Sequence, residues 1–131
     1  MKILLVGHRG QVGTAIKECF DHDEIITPGR SELDITQSDQ VKLWLQSHQP
    51  DVVINTAAYH NLHNCESHPL KAFSINCIAT RNIAKTSHDL NCLFVSFSTD
   101  YVFDGFKDSP YDESDYTNPI QIYGMSDWQV S

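Results

Sequence analysis

Lys2-Ile3-Leu4-Leu5-Val6-Gly7-His8-Arg9-Gly10-Gln11-Val12-Gly13 is the stretch on which the fold of this chain turns. Ile3 to Val6 is an unbroken apolar run of strand length, and three evenly spaced glycines follow it. Beyond them, Val12, Ile16, Cys19 and Phe20 recur at i, i+4, i+7 and i+8, a stripe that predicts a helix packed on a sheet. Strand, glycine turn and helix in that order form the context that a dinucleotide-binding loop requires. In such a loop Gly7 permits the tight turn, Gly10 lets the backbone approach a pyrophosphate, and Gly13 lets the helix lie close to the strand. Gln11 and Val12 then open a helix whose free N–H groups face the phosphates. The alternative is a tight turn that holds no ligand.

The same alternation continues along the chain. Asp21-His22-Asp23 ends the first helix, Glu24-Ile25-Ile26-Thr27 reads as a second strand, and Pro28-Gly29-Arg30 as a turn. Thr36-x-x-Asp39 resembles a capping arrangement ahead of Val41, Leu43, Trp44 and Leu45, with Pro50 closing that helix. Asp51-Val52-Val53-Ile54-Asn55 predicts a third strand, and residues 56–66 a loop. A long helix is predicted from Pro69 to Leu90, with Phe73, Ile75, Cys77, Ile78, Ile83 and Ala84 on its apolar side. Asn91 breaks it before a fourth strand, Cys92-Leu93-Phe94-Val95-Ser96-Phe97. Residues 98–119 are rich in Asp, Ser, Pro and Tyr and read as a loop, after which Tyr123 begins a further helix. Strands without a polar face, separated by helices, imply right-handed βαβ units and a parallel sheet covered on both sides. The expected fold is α/β, a doubly wound, Rossmann-like parallel sheet with strand order 3-2-1-4.

A chain of 131 residues is one domain's worth, and 40% hydrophobic with 20% charged residues is an ordinary globular balance. The formal net charge of −8 argues against non-specific binding to nucleic acid or to an anionic membrane, so a phosphate contact must be local. No apolar run approaches bilayer length and the start carries no signal-like segment, so a cytoplasmic protein is expected. Cys19, Cys65, Cys77 and Cys92 lack C-x-x-C pairing and are expected to be reduced, mostly buried thiols. His60, His63, Cys65 and His68 have metal-ligand chemistry, but they fall in one loop and one helix start, whereas structural zinc draws on two separated elements. No metal is expected there.

Cofactor choice turns on the end of the second strand, where an acid would bind a ribose hydroxyl and a base a 2′-phosphate. Arg30 stands there, and Arg9 in the glycine turn could reach the same anion. NADPH is therefore expected over NADH, unless both arginines are only solvated charges. Ser98-Thr99-Asp100-Tyr101-Val102-Phe103-Asp104-Gly105 follows the fourth strand, and Tyr123-Gly124 comes later. Reducing a ketone with a nicotinamide needs a proton donor at the carbonyl oxygen and a hydrogen bond that polarises it. Tyr123 and Thr99 have that chemistry.

On these pieces, together with Arg30-Ser31-Glu32-Leu33-Asp34-Ile35-Thr36, Asn55-Thr56-Ala57-Ala58-Tyr59, Asn76, Thr80-Arg81-Asn82 and Pro119, the chain resembles the extended short-chain dehydrogenase/reductases. Within them it is most similar to the dTDP-4-dehydrorhamnose reductases. The resemblance implies that Asp34 and Ile35 lie by the adenine, that Ala57, Ala58 and Tyr59 run along the cofactor, and that Thr99 and Tyr123 are catalytic. It also implies a nucleotide-sugar substrate, dTDP-4-dehydro-L-rhamnose, and allows a homo-oligomer. Asp34 could instead only cap its turn, and Tyr59 only fill its loop. The Gly-His-Arg-Gly turn is also similar to that of GDP-fucose synthase.

Three departures stand out. Asp127 occupies the place of the family's lysine, one helical turn after the tyrosine, where a carboxylate would raise the phenol's pKa. His63 stands where the family commonly has an acid, and the resemblance fades after Ser126. The expectation is a partial cofactor domain, residues 1–131, incomplete on its C-terminal side and without the family's substrate domain. A non-catalytic dinucleotide-binding module acting through a partner is the alternative, as is a product with no role, prone to aggregate through an exposed fourth strand.

Overall fold

A computed structural model of the chain describes residues 1–128. Four strands form one parallel sheet: β1 (Lys2–Val6), β2 (Glu24–Ile26), β3 (Val52–Asn55) and β4 (Leu93–Ser96). The helices are α1 (Gln11–Cys19), α2 (Ser38–His48), α3 (Leu62–Ser67), α4 (Pro69–Ala72), α5 (Thr80–Asp89) and α6 (Ile122–Trp128), with a π-helical segment, Phe73–Ala79, joining α4 to α5. Gln129, Val130 and Ser131, the end of the stretch where the resemblance fades, lie outside the described residues.

The sheet is doubly wound, as expected, but its order is β2-β1-β3-β4 and not 3-2-1-4. Strand and helix alternation gives no direction of travel; packing does. From β1 the chain crosses to β2 over the face where Ile16 and Phe20 meet Ile3, Leu5, Val52 and Ile54. From β2 it returns over the opposite face, where Val41, Leu45 and Ile83 pack on Leu4, Val6 and Val53. A right-handed connection that reverses direction must change faces, so β3 is delivered to the far side of β1. Ile3, Leu4 and Leu5 are fully buried, alternating between the two faces, and each contributes roughly 1.5–3 kcal/mol.

Several local features depart from the sequence pattern. Val12 and Cys19 are exposed, so only Ile16 and Phe20 of the α1 stripe reach the sheet. Of the four thiols, Cys65 and Cys92 are buried. Thr36 does not cap α2, because its N–H and hydroxyl both donate to Asp34 Oδ1, at 3.0 and 2.7 Å. The N-cap position falls on Gln37, without a side-chain cap. The helix ends at Gln49 in the left-handed region (φ 46°), ahead of buried Pro50, and Asn91 (φ 55°) breaks α5 in the same way. The predicted loop 56–66 holds most of α3, which begins where Asn61 Oδ1 accepts the Asn64 N–H at 2.9 Å.

The long helix over residues 69–90 is present, but its buried face carries Ala72, Asn76, Ala79, Thr80, Ile83 and Ser87, while Ile78 is 56% exposed. Bonding from i to i+5 widens the turn, which rotates a stripe read at 3.6 residues out of phase.

Residues 98–119 lie outside strands and, apart from a 3₁₀ turn at Asp100–Val102, outside helices. Much of this segment is nevertheless gathered around one carboxylate. Asp104 accepts from the Phe106 N–H, the Tyr111 hydroxyl and Asn118 Nδ2 at 3.0, 2.7 and 2.9 Å, and Phe103 stacks on Tyr111. These donors, Asn118 first, hold the carboxyl down at about 2. Since the folded value lies below the unfolded one, the contacts are fully present above the ordinary aspartate range and are lost as pH falls through about 2. Tyr111 ring resonances are therefore expected to stay native on acidification through pH ~4 and to shift only near the lower value, whereas Asp104→Asn loosens them at neutral pH.

Candidate dinucleotide crevice and hydroxyl pair

The turn after β1 is shaped by backbone geometry. Gly7 sits at φ +82°, and a Cβ on it would lie 2.6 Å from both Ala57 N and Thr56 Oγ1. A Cβ on Gly13 would lie 2.5 Å from Gly7 O, so the first turn of α1 rests directly on the preceding loop. Gly10 differs: a Cβ there meets only Gly7 O at 3.5 Å, an ordinary contact. Packing does not require glycine at that position, yet it borders an open crevice. Gly10 is also the N-cap of α1 and offers no side-chain acceptor to the first-turn N–H groups.

The crevice has a volume of about 390 Å³ and opens at the C-terminal ends of β1 and β3. Connections leave these neighbouring strands in opposite directions, and such a switch point is where open α/β sheets bind ligands. Of the residues singled out from the sequence, Gly7, Arg9, Gly10, Arg30, Asp34, Ile35, Ala57, Ala58 and Tyr59 line it. Gln11, Val12 and Gly13 do not; Gly13 is packed beneath the turn, while Gln11 and Val12 stand exposed in the first turn of α1. His8, Thr56, His60 and Ile75, none of which the sequence singled out for the cofactor, also line it. His8 lay within the quoted turn and Thr56 within a quoted stretch, whereas Ile75 carried only a core signal and His60 only that of a metal ligand.

Arg9 and Arg30 both line the crevice at the β2 end, where Arg9 Nη2 comes within 3.9 Å of the Cβ position of Gly29. Asp34 closes a turn on Thr36 and also borders the crevice; the Thr36 bonds first, then Arg30, hold its carboxyl below the usual range. Ile35 belongs to the core and also borders the crevice.

Thr99 and Tyr123 are brought together beyond the end of β4, outside the crevice lining, near enough for the Thr99 hydroxyl to act on the phenol; that hydroxyl donates to Asp100 Oδ1 at 3.2 Å and accepts the Tyr101 N–H at 3.3 Å. Burial raises the Tyr123 phenol above its ordinary value; the neighbouring Thr99 hydroxyl opposes this, and Asp127 and Asp100 add to it. Burial lifts Asp127 itself to about 6. Three contacts from distant sequence place α6. Glu66 Oε1 accepts the Ile122 N–H at 2.9 Å, Asn76 Nδ2 donates to Ser126 Oγ at 2.9 Å, and Gly124 sits against the Tyr101 carbonyl with no room for a Cβ. None of these placements was legible as a motif, although Asn76 was among the residues that carried the resemblance.

Residues 1–130 match the sequence profile of the RmlD substrate binding domain. The chain belongs to this family. A dTDP-4-dehydrorhamnose reductase from Sinorhizobium fredii is 36% identical over 127 residues, 96% of this chain and 43% of that protein. Among solved structures, a dTDP-4-dehydrorhamnose reductase from Clostridium acetobutylicum superposes with a TM-score of 0.95 at 36% identity, covering 98% of this chain and 47% of its own. One from Bacillus anthracis, solved in complex with NADP, superposes at 0.92 with 34% identity and covers 98% and 48%. The chain thus spans somewhat under half the length of these members of the RmlD family. Among the described residues, no helix is long and apolar enough to cross a membrane.

Proposed function

We propose that this chain is the dinucleotide-holding part of an NADPH-dependent dTDP-4-dehydrorhamnose reductase of the cytoplasm. The observation that carries the reading is the crevice itself: a glycine turn and an uncapped helix start at one wall, two guanidinium groups at the β2 end, and a hydroxyl pair beyond it. A pyrophosphate suits Gly10 and the first turn of α1, and a 2′-phosphate suits Arg9 with Arg30. Asp34 and Ile35 flank the adenine end, while Ala57, Ala58 and Tyr59 form the opposite wall. NADPH, when bound, supplies a hydride to the carbonyl carbon of a 4-keto nucleotide sugar. Tyr123 holds the proton destined for the carbonyl oxygen, and the Thr99 hydroxyl is placed to polarise that carbonyl. The sugar nucleotide is gripped outside residues 1–131, and two copies could associate.

Calorimetric titration with NADPH and NADH tests this reading. Removing a charge-assisted contact to phosphate costs roughly 1.5–3 kcal/mol, so Arg30→Ala is expected to weaken NADPH by about tenfold or more and leave NADH unchanged. Equal weakening of both, or no NADPH binding to the unaltered chain, overturns it. One observation favours a second reading, a module that binds the dinucleotide without turnover: Asp127 places a carboxyl rather than a cation beside Tyr123.

A further inference from the structure

Asn76 lies within the π-helical segment, 3% exposed, with all three of its amide bonds made to groups far away in sequence. Its Oδ1 accepts the Tyr59 N–H at 2.7 Å, and its Nδ2 donates to the Tyr59 carbonyl at 3.0 Å and to Ser126 Oγ at 2.9 Å. Ser126, fully buried, donates in turn to the Tyr123 carbonyl at 2.8 Å. Tyr59 belongs to the crevice wall, and Tyr123 to the hydroxyl pair. A continuous chain of hydrogen bonds therefore runs from the backbone of one site to the backbone of the other.

From this geometry we infer that Asn76 and Ser126 are positioning residues that fix the helix carrying Tyr123 to the wall of the dinucleotide crevice. The inference deepens the reductase reading and rests on it for what the crevice holds. Asn is suited to the place because a single amide offers one acceptor and two donors in a plane, matching the backbone N–H and C=O of one residue, Tyr59, on one side and a hydroxyl on the other. The wide π turn is what allows that amide to face inward between Ala72 and Ala79, both fully buried. Each buried bond is satisfied, so deleting either member leaves a buried polar group unpaired.

The two members differ in what they hold. Among the described residues the Ser126 hydroxyl bonds to Asn76 and to Tyr123 of α6, whereas Asn76 also grips the crevice wall. Ser126→Ala is therefore expected to free Tyr123 while sparing the crevice, and Asn76→Ala to disturb both.

Two readouts on the whole chain separate these effects: NADPH affinity by calorimetry, and the Tyr123 phenol titration followed by carbon NMR of ring-labelled tyrosine. Ser126→Ala should bring the phenol midpoint down toward its ordinary value and leave NADPH affinity within about twofold. Asn76→Ala should move the phenol in the same direction and weaken NADPH about tenfold. Ser126→Thr, which keeps the hydroxyl, should restore the native titration. A phenol midpoint unchanged in Ser126→Ala overturns the inference, as does a Thr variant that behaves like the Ala one. If the unaltered chain fails to bind NADPH, the reductase reading fails, while the phenol titration still decides whether the two residues place Tyr123.

Discussion

Gly7→Ala is expected to destabilise the chain by about 2–5 kcal/mol and to abolish dinucleotide binding. At φ +82° an L side chain carries about 1–2 kcal/mol of left-handed strain. The added Cβ would also lie 2.6 Å from Ala57 N, a backbone atom that cannot turn aside, and overpacking of this kind adds about 1–3 kcal/mol. Little can yield, because Thr56 donates to the Val6 carbonyl through both its N–H and its hydroxyl, at 2.9 and 2.8 Å, and so locks the end of β3 to the end of β1. The displacement would therefore open the crevice between its two walls.

Gly10→Ala supplies the contrast. Gly10 has a negative φ and open space around its Cβ position, so the expected loss of stability is under about 1 kcal/mol, the difference between glycine and alanine at an N-cap. NADPH binding should nevertheless fall steeply, since the methyl group occupies the space where a pyrophosphate would lie against the backbone. Urea unfolding midpoints and calorimetric titrations of both variants check the pair. Native affinity in Gly10→Ala would remove the pyrophosphate from this turn.

That contrast also shows what was legible in the sequence. The strand and the glycine turn could be read from residues 2–13 because both depend on local geometry, the reach of an apolar run and the conformations only glycine adopts. So could the wall at Arg9 and Arg30, where charge sits beside a turn. Strand order was not legible, because it follows from which face each helix buries, and Val41, Leu45 and Ile83 show an apolar side without showing which side of the sheet receives it. The π-helical turn was hidden for a related reason: its extra residue alters the phase of burial but leaves the composition unchanged. Ile78 thus read as core, whereas the structure exposes it and buries Asn76, which the apolar stripe had left out. Asn76 has its partners at Tyr59 and Ser126, 17 and 50 residues away, beyond the reach of any periodicity.

Asp127→Asn is expected to stabilise the chain at alkaline pH and to leave it unchanged in acid. Burial lifts the carboxyl from 3.8 to about 6, so the folded state holds its proton more tightly than the unfolded state does. Stability contributed by the protonated form is complete below the unfolded value and is lost as pH rises through the folded one. One pKa unit corresponds to 1.36 kcal/mol, so the displacement would be worth about 3 kcal/mol in a dry site. The group is partly exposed, and screening by water reduces the expected gain to about 1 kcal/mol. Urea midpoints of the two forms should therefore coincide below pH ~4 and separate above pH ~6. The same charge acts on Tyr123, since a carboxylate one turn away favours the protonated phenol. Asp127→Asn should lower the phenol midpoint, and Asp127→Lys should take it below the ordinary value, as a neighbouring cation favours phenolate. A phenol held above its ordinary value keeps its proton at neutral pH but gives it up reluctantly, which suits a binding site better than a reducing one. If Asp127→Lys lowers the midpoint without altering NADPH affinity, the carboxyl limits proton delivery alone. If the midpoint stays fixed, Asp127 and Tyr123 do not share a field, and Asp127 loses its force as the argument for a site without turnover.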